Sequence, residues 1–523
     1  MVSSIINYWW VTRPKRKLNS VPEVLAAVAS VSLDNEWGGQ RNTHLSVEEA
    51  LEVYSLKRVG ERRDHGGSGG RTYMAWLKSL GLIFTQKSTG LLKLTLAGEA
   101  ILAGEPPVEI LKHQILKYQF PSAFSTNRNI NVNPRFKIRP FRFLLRLLND
   151  PQISYLTQEE IAKVVIVNAE NESEVCYQGV VKRLTDFRTY GDASLDSDFF
   201  INYAPSRGKI NFDKPYNYLN DIANTLINWI EYTQLAIRED SKLVLLDEKV
   251  NEVNTILGVT PPFIERPDQD EFFQRKYGVD PKHTKDNRNL TNSRTITDQM
   301  LAEQRITQSF ISESLKYPVN KIDDKIIANV SHSSGFDHKI VEQVLLRKYP
   351  HGAIGSFMTN YFEMAFKGRD EATDFEVATV EIFNDVFGMR AEHVGPIGLT
   401  PDVLVISDDV GYVGIIDNKA YSKYSITNDH KNRMIYNYIP RFQKESYPLA
   451  FFTYIAGGFG KNIDLQLREI SSSTSIAGSA INVSNMIQLV QDHNQKNIDQ
   501  FKLKDMFGLN RQIYKEDISL LSE

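Results

Sequence analysis

Apolar residues recur along this chain in blocks whose spacing switches between helical and extended periods, and the blocks mark out repeated helix and hairpin units. In the first, Arg71-Thr72-Tyr73-Met74-Ala75-Trp76-Leu77-Lys78-Ser79-Leu80 reads as a helix that stops at Gly81. Strands over 82–85 and 91–95 follow, turned by Lys87-Ser88-Thr89-Gly90, and another helix begins at Leu96 with Thr95 as its cap. Helix, hairpin, helix is the plan of a winged-helix unit, a relative of the helix-turn-helix that sets one helix into the major groove of DNA. Arg71, in the first helix, is its candidate DNA contact. A second unit is predicted from the capping box Thr157-x-x-Glu160, which opens a helical run through Val165. A third is predicted from an apolar helix over 218–238 followed by a strand over 242–246. Residues 66–70 are glycine-rich but lack the lysine and Ser/Thr of a phosphate-binding loop, so they read as linker. Residues 261–292, rich in Pro, Asp, Asn and Lys, read as loop or linker, and helices over 298–316 and 337–347 lead onward.

Nearer the carboxyl end the pattern becomes that of buried strands. Thr400-Pro401-Asp402 opens the short, unbroken, β-branched run Val403-Leu404-Val405-Ile406, which argues for burial on both faces. After the turn chemistry of Ser407-Asp408-Asp409-Val410-Gly411, a second apolar run leads through Ile416 into Asp417-Asn418-Lys419. The two runs predict an antiparallel hairpin whose open end holds Asp402 on one strand and Asp417 on the other. Side chains alternate across a sheet, so Asp417 and Lys419 share a face and Asn418 takes the other. Two carboxylates beside a lysine can hold a hard divalent cation such as Mg2+, with water and a substrate phosphate completing its shell. Such a cation polarises a phosphoryl oxygen and lowers the pKa of an attacking water, while the lysine orients that water or stabilises charge on phosphorus. The chemistry implied is phosphodiester hydrolysis.

Pro401-Asp402 and Asp417-x-Lys419 resemble the signature of the PD-(D/E)xK nucleases. The longer pattern resembles the cleavage domain of FokI-like type IIS restriction endonucleases. It runs from Glu371-Ala372-Thr373-Asp374-Phe375-Glu376 to Val386-Phe387-Gly388, through Arg390-Ala391-Glu392-His393-Val394-Gly395, Thr400-Pro401-Asp402 and Ile416-Asp417-Asn418-Lys419-Ala420-Tyr421-Ser422. It resumes over 451–460 and at Leu465-Gln466-Leu467-Arg468, in matching order across the last third of the chain. The resemblance implies an α/β nuclease domain with a central mixed sheet, Asp402 and Asp417 as metal ligands, Lys419 as catalytic lysine, and Mg2+ as cofactor. It also implies a glutamate from the preceding helix, for which Glu376 and Glu381 are candidates. Five residues apart, they lie on different faces, so at most one reaches the metal, and Glu376 is favoured. Residues 428–438 resemble the helix that pairs two such domains, which implies a transient homodimer during cleavage; a small second subunit stays open. The front half resembles the AlwI family of type IIS and nicking endonucleases through Trp9-Trp10-Val11-Thr12-Arg13-Pro14, the helix and hairpin over 73–98, and Gln119-Phe120-Pro121-Ser122. That implies target recognition by residues 1–260, and a companion DNA methyltransferase is expected in the same system.

Composition adds a division of charge. The net charge is −3, yet residues 1–160 carry 21 Lys+Arg against 14 Asp+Glu, a net of +7, and the remainder 40 against 50, a net of −10. A basic front predicts that double-stranded DNA is held mainly there, through its phosphates. Within it, Asn133-Pro134-Arg135-Phe136-Lys137-Ile138-Arg139-Pro140-Phe141-Arg142-Phe143 interleaves basic and aromatic residues. Arg135, Lys137, Arg139 and Arg142 are the candidate DNA contacts, to phosphates or bidentately to guanine, and the neighbouring Phe143, Leu144 and Leu145 read as core. A single cysteine, Cys176, excludes an intramolecular disulfide and a cysteine-cluster zinc site. No apolar run approaches the ~18 residues of a membrane span, and Met1-Val2-Ser3-Ser4-Ile5-Ile6 lacks an export leader. A cytoplasmic protein with no membrane partner is expected.

The predicted architecture is an α+β multidomain chain. Tandem winged-helix-like recognition domains occupy 1–155 and 156–260, a linker with bridging helices 261–345, and the nuclease 346–523. The expected function is Mg2+-dependent hydrolysis of DNA at a fixed distance from a short recognised site, as in a type IIS restriction endonuclease. Alternatives are a strand-specific nicking enzyme acting as the large subunit of two chains, a structure-selective repair nuclease, and a winged-helix regulator with an inactive nuclease-like tail. Intact Asp402, Asp417 and Lys419 argue against the last.

Overall fold

The computed structural model describes residues 5–54, 56–57, 67–103, 105, 107–122, 132–203, 216–266, 268–290, 298–316, 322–349, 361–362, 364–365, 372–395, 399–421, 423–443 and 447–521. The chain divides into two units, one of residues 1–317 with 324–348 and one of 318–323 with 349–523.

In the first unit, α1 (Val21–Ser32), α2 (Arg41–Val53) and α3 (Ser68–Ser79) precede an antiparallel hairpin of β1 (Ile83–Thr85) and β2 (Leu92–Leu94). Glu36, between α1 and α2, bridges to Leu91 beside that hairpin. Helices α2 and α3 approach closely because residue 70 is glycine: a Cβ there would lie 2.5 Å from the His44 carbonyl oxygen. Thr95 caps α4 (Leu96–Leu102) as predicted, accepting from the Gly98 N–H at 3.1 Å. After α5 (Pro107–Lys117) a similar order recurs. It comprises α6 (Pro140–Asn149), β3 (Tyr155–Thr157), α7 (Gln158–Glu160 continuing through a π turn, Ile161–Val165, to Ile166–Asn168), α8 (Glu174–Tyr190), α9 (Asn217–Tyr232), β4 (Ala236–Glu239) and β5 (Lys242–Leu245). Strand β5 pairs with both β3 and β4.

Three expectations change here. The capping box forms, with Thr157 and Glu160 bonded reciprocally at 3.1 and 2.7 Å, but Thr157 stands opposite Lys242. The segments assigned to a second and a third unit therefore share one sheet. The helix expected over 218–238 ends at Tyr232: Gln234 takes a left-handed backbone, φ +59°, and Ala236 and Ile237 pair with Leu245 and Val244. Residues 261–292 are not all linker, since α10 (Asp270–Tyr277) buries Phe273, Gln274 and Tyr277. Gln114 Nε2 donates to the Tyr277 carbonyl, and Lys78 Nζ lies 3.0 Å from Asp270. Helices α11 (Asp298–Lys316), α12 (Asp324–Ser334) and α13 (His338–Lys348) follow.

In the second unit α14 (Ala372–Glu381) is extended by a π turn over Ile382–Val386. Among the unit's described residues six strands form one mixed sheet in the order β11-β10-β9-β8-β7-β6. Strands β6 (Arg390–His393), β7 (Val403–Ser407) and β8 (Tyr412–Lys419) are antiparallel, whereas β8, β9 (Leu449–Ala456), β10 (Ala477–Asn482) and β11 (Gln512–Ile513) are parallel. Parallel neighbours need long crossovers. These are supplied by α15 (Asn428–Arg433, continuing through Met434–Tyr438), α16 (Ile463–Thr474), and α17 (Val483–Lys496) with α18 (Gln500–Phe507).

All five residues of β7 are buried, as its unbroken apolar run demands. Leu404, Ile406, Val413 and Ile415 join Tyr424, Met434, Tyr438, Tyr454 and Leu467 in the core on one face. On the other face α14 packs over β7 and β8, and Phe507 of α18 stacks on Phe451 at 5.1 Å and approaches Phe383 at 5.9 Å. A register shift between Val413 and Gly414 interrupts the pairing of β8 with β9; from Gly414 to Lys419 the pairing is regular.

Candidate active site

The hairpin register brings two carboxylates together. Val403 pairs with Ile416, so Asp402 precedes β7 at the same end at which Asp417 follows Ile416 in β8. The Asp402 N–H donates to the Ile416 carbonyl at 3.0 Å, and its own carbonyl accepts from Val394 and Gly395 at 2.9 and 3.1 Å. Its Oδ2 accepts the Asn418 N–H at 2.6 Å. Lys419 Nζ lies 2.7 Å from Asp417 Oδ2 and 3.7 Å from Asp402 Oδ2. Asp417 is 3% exposed. The structure thus brings together all three residues singled out on the hairpin, on the face that alternation assigned to Asp417 and Lys419.

Burial holds the Asp402 carboxyl well above the usual carboxylate range, reinforced by Asp417 and, further down the order, Glu376, against the pull of Lys419. For Lys419, burial opposes the charge, but Asp417 and Asp402 together keep its ammonium well above the ordinary lysine value. Tyr424, Tyr438 and Tyr454 stand around Asp417, their phenols pushed up first by burial and then by that carboxylate. Two carboxylates against one ammonium leave an excess of negative charge in a nearly dry site. That donor set fits a hard divalent cation, for which one or two carboxylates with water and phosphate suffice. Among the described residues no group of three His, Cys, Asp or Glu forms a metal cluster.

Glu376, on α14, pairs with His393 Nε2 at 2.6 Å. A Cβ on Gly395 would lie 3.2 Å from Glu376 Oε2 and 3.5 Å from the Asp402 Cα, so glycine permits the approach. Glu381 is exposed on another face, and of the two helix glutamates Glu376 is the electrostatic neighbour of Asp402. On the opposite face of β8, Asn418 Nδ2 donates to Thr379 Oγ1 at 2.7 Å, and Thr379 shares a 2.9 Å hydrogen bond with the Tyr361 hydroxyl. These three buried side chains tie α14 to β8. Sequence reasoning missed His393, Thr379 and Tyr361. For His393 the available signal was its place one residue before Val394-Gly395, in a strand opposite Val403.

The candidates in the basic segment are placed differently, and two of them, Arg135 and Arg139, are held by partners inside the fold. Arg139 is 2% exposed; its Nε and one terminal nitrogen bond Glu172 at 2.8 and 2.5 Å, and the other bonds the Pro261 carbonyl. Arg135 bonds Asn7, the Val167 carbonyl and Glu170. Arg142 reaches the Ile256 and Val259 carbonyls, and burial lowers its pKa. All three side-chain nitrogens of Arg135 and of Arg139 are thus engaged within the fold rather than presented to DNA, whereas for Arg142 the bonds come from one nitrogen, Nη2. Lys137 remains exposed, 3.0 Å from Glu265, and Arg71 is partly exposed in the first turn of α3.

Comparison with known proteins bears on the region just described. The family model of the FokI cleavage domain matches residues 335–514, which contain Glu376, Asp402, Asp417 and Lys419. No curated protein matches the chain. Among solved structures, the restriction endonuclease FokI is 14% identical, covering 97% of this chain and 100% of that one with a TM-score of 0.28. FokI bound to DNA is also 14% identical, covering 98% and 100% with a TM-score of 0.28. The BpuJ1 endonuclease binding domain, in complex with pyrene- and phenanthrene-modified DNA, is 13% identical, covering 53% of this chain and 95% of that one with a TM-score of 0.35. Scores of that size do not establish a common overall fold. The meeting of Asp402, Asp417 and Lys419 therefore lies within a region similar to the FokI cleavage domain.

Proposed function

We propose that the chain is a type IIS restriction endonuclease that recognises a short site in double-stranded DNA through its front unit and hydrolyses phosphodiesters at a fixed distance outside it with Mg2+. The observation that carries this reading is the convergence of Asp402, Asp417 and Lys419 at one end of the hairpin, inside the stretch similar to the FokI cleavage domain. Asp402 and Asp417 would hold Mg2+, with Glu376 a further carboxylate whose charge acts on Asp402. When bound, the ion supplies Lewis acidity toward a phosphoryl oxygen and a water of lowered pKa. The Asn418 N–H fixes one oxygen of Asp402. Asp417 orients Lys419 through one of the three ammonium donors, leaving the others for the attacking water or the charge that gathers on phosphate.

Recognition by the front unit is supported by its repeated order of helix, extended segment, helices and hairpin, which fits a winged-helix plan. Arg71 and Lys137 keep the exposure that a phosphate contact needs. The AlwI-like features and a companion methyltransferase belong to the same reading. Transient pairing of two copies would use α15, whose exposed face carries the Asp429–Arg433 ion pair at 2.8 Å and Tyr436, 72% exposed. A supercoiled plasmid of known sequence, digested with Mg2+ and mapped at both strand ends, should become linear, with ends at a constant offset from one short sequence. Open circles alone would establish nicking instead, and no Mg2+-dependent cleavage would reject the nuclease reading.

A further inference from the structure

Just beyond Lys419 the chain turns back, the Tyr421 N–H donating to the Lys419 carbonyl at 2.7 Å. It then runs beside the loop that leaves β9. Gly457 N–H donates to the Tyr421 carbonyl at 3.0 Å, Tyr424 N–H to Gly458 at 2.8 Å, and Gly460 N–H to Tyr424 at 2.9 Å. A Cβ on Gly460 would come within 2.3 Å of Ser425 Oγ, so the seam is close enough that a larger residue would have to turn that hydroxyl aside. The seam lies at the carboxyl ends of two parallel strands, the end at which open α/β sheets bind their ligands.

Two features of the seam point outward. Tyr424 is buried and hydrogen-bonded through its hydroxyl to His430 Nδ1 at 2.8 Å. Tyr421 stacks on it, centroids 6.2 Å apart and rings inclined by 17°, and remains 48% exposed. An aromatic face is therefore held by fixed backbone two residues from Lys419, so a flat group can use it at little further cost in conformational entropy. Beside this face, Lys423 precedes Tyr424 and Lys461 follows Gly460, both exposed. Partial burial and then the Lys461 charge pull the Lys423 ammonium below its ordinary value. An aromatic platform with flanking lysines is the combination that tracks a nucleic-acid strand.

We infer that Tyr421, Lys423 and Lys461 form a subsite for the nucleotide next to the scissile phosphate, with its sugar or base against Tyr421 and its phosphate between the two ammoniums. The inference rests on the nuclease reading and extends it to a named contact.

The test follows single-turnover cleavage by the full chain in Mg2+, with enzyme in excess of target DNA but below saturation so that the rate reports binding, as a function of salt. The double variant Lys423→Ala with Lys461→Ala should flatten the dependence of log rate on log salt by about one unit, as for the loss of one phosphate contact. Arginine at both positions should restore it. Tyr421→Ala should slow cleavage about tenfold, the size of one stacking contact, while Tyr421→Phe should keep the rate. A readout without turnover uses Asp417→Ala and DNA carrying 5-iodouracil beside the mapped cleavage position, where illumination should crosslink Tyr421. An unchanged salt slope in the double alanine variant, or crosslinks that avoid Tyr421, would overturn the subsite while wild-type cleavage leaves the nuclease reading standing. A wild-type chain that cuts no DNA removes both.

Discussion

Arg139 in the first unit and Lys419 in the second are both nearly buried cations, and their surroundings differ in one respect. Arg139 meets one carboxylate, Glu172, and a backbone carbonyl, which match its charge and engage each of its three side-chain nitrogens. Lys419 meets two carboxylates, and the burial that crowds them raises one far from its ordinary titration. A matched buried pair is costly only when one partner is taken away, whereas an unmatched one leaves charge for another ion to balance. Basic residues in a stretch with aromatics therefore say less about DNA than does a surplus of carboxylates at a strand end.

The contrast is sharpest in paired substitutions. Asp417→Ala should reduce Mg2+-dependent cleavage by about a thousandfold or more, with site-specific DNA binding retained and thermal stability little changed, because Lys419 keeps Asp402 as a partner. Equal loss of binding and cleavage would break the separation of the two activities. Glu172→Ala should do the reverse, lowering stability by about 3 kcal/mol as Arg139 is left buried without its counter-charge, while the cleavage rate per folded molecule holds in an assay corrected for unfolded protein. Thr379→Val removes the bonds to Asn418 and Tyr361 and should cost about 1–3 kcal/mol in chemical denaturation, with serine restoring it.

A pH experiment probes the surplus directly. In metal-free protein the folded Asp402 carboxyl titrates above its unfolded value. Its contribution to stability is complete below the unfolded pKa and is lost as pH rises toward the folded one. Asp402→Asn should remove that decline, so its melting temperature should gain on the wild type as pH rises from about 4; a constant difference across the range would contradict the buried-charge account. The smallest effect is expected at Lys137, whose ion pair with Glu265 is exposed on both sides, and alanine there should change stability by less than about 0.5 kcal/mol.

The parts of the molecule legible in the sequence are those whose causes are local. A four-residue β-branched run, a polar turn and a second run determine the hairpin, and two-residue alternation then places Asp417 and Lys419 together. Cap residues such as Thr95 and Thr157 are equally local. The fate of Arg139 was hidden because its partners lie 33 and 122 residues away. The joining of β3 to β5 across the intervening helices was hidden for the same reason, as was the burial of α10 against residues near 80 and 114. Spacing alone could put Glu376 and Glu381 on different faces, but only the packed position of α14 shows which of them approaches Asp402.

The irregular pairing between Val413 and Gly414 gives β8 a hinge point in its reading frame. That break is confined to the β9 side: against β7, β8 keeps one register from Tyr412 to Ile416. A one-residue insertion before Asp417 would turn its carboxylate toward Thr379 and swing Asn418 into the cleft, dismantling the proposed hydrolytic centre while the register upstream stays as it is. An engineered fusion or loop graft therefore has to enter in the turn between Ser407 and Tyr412, ahead of the pairing that sets this frame.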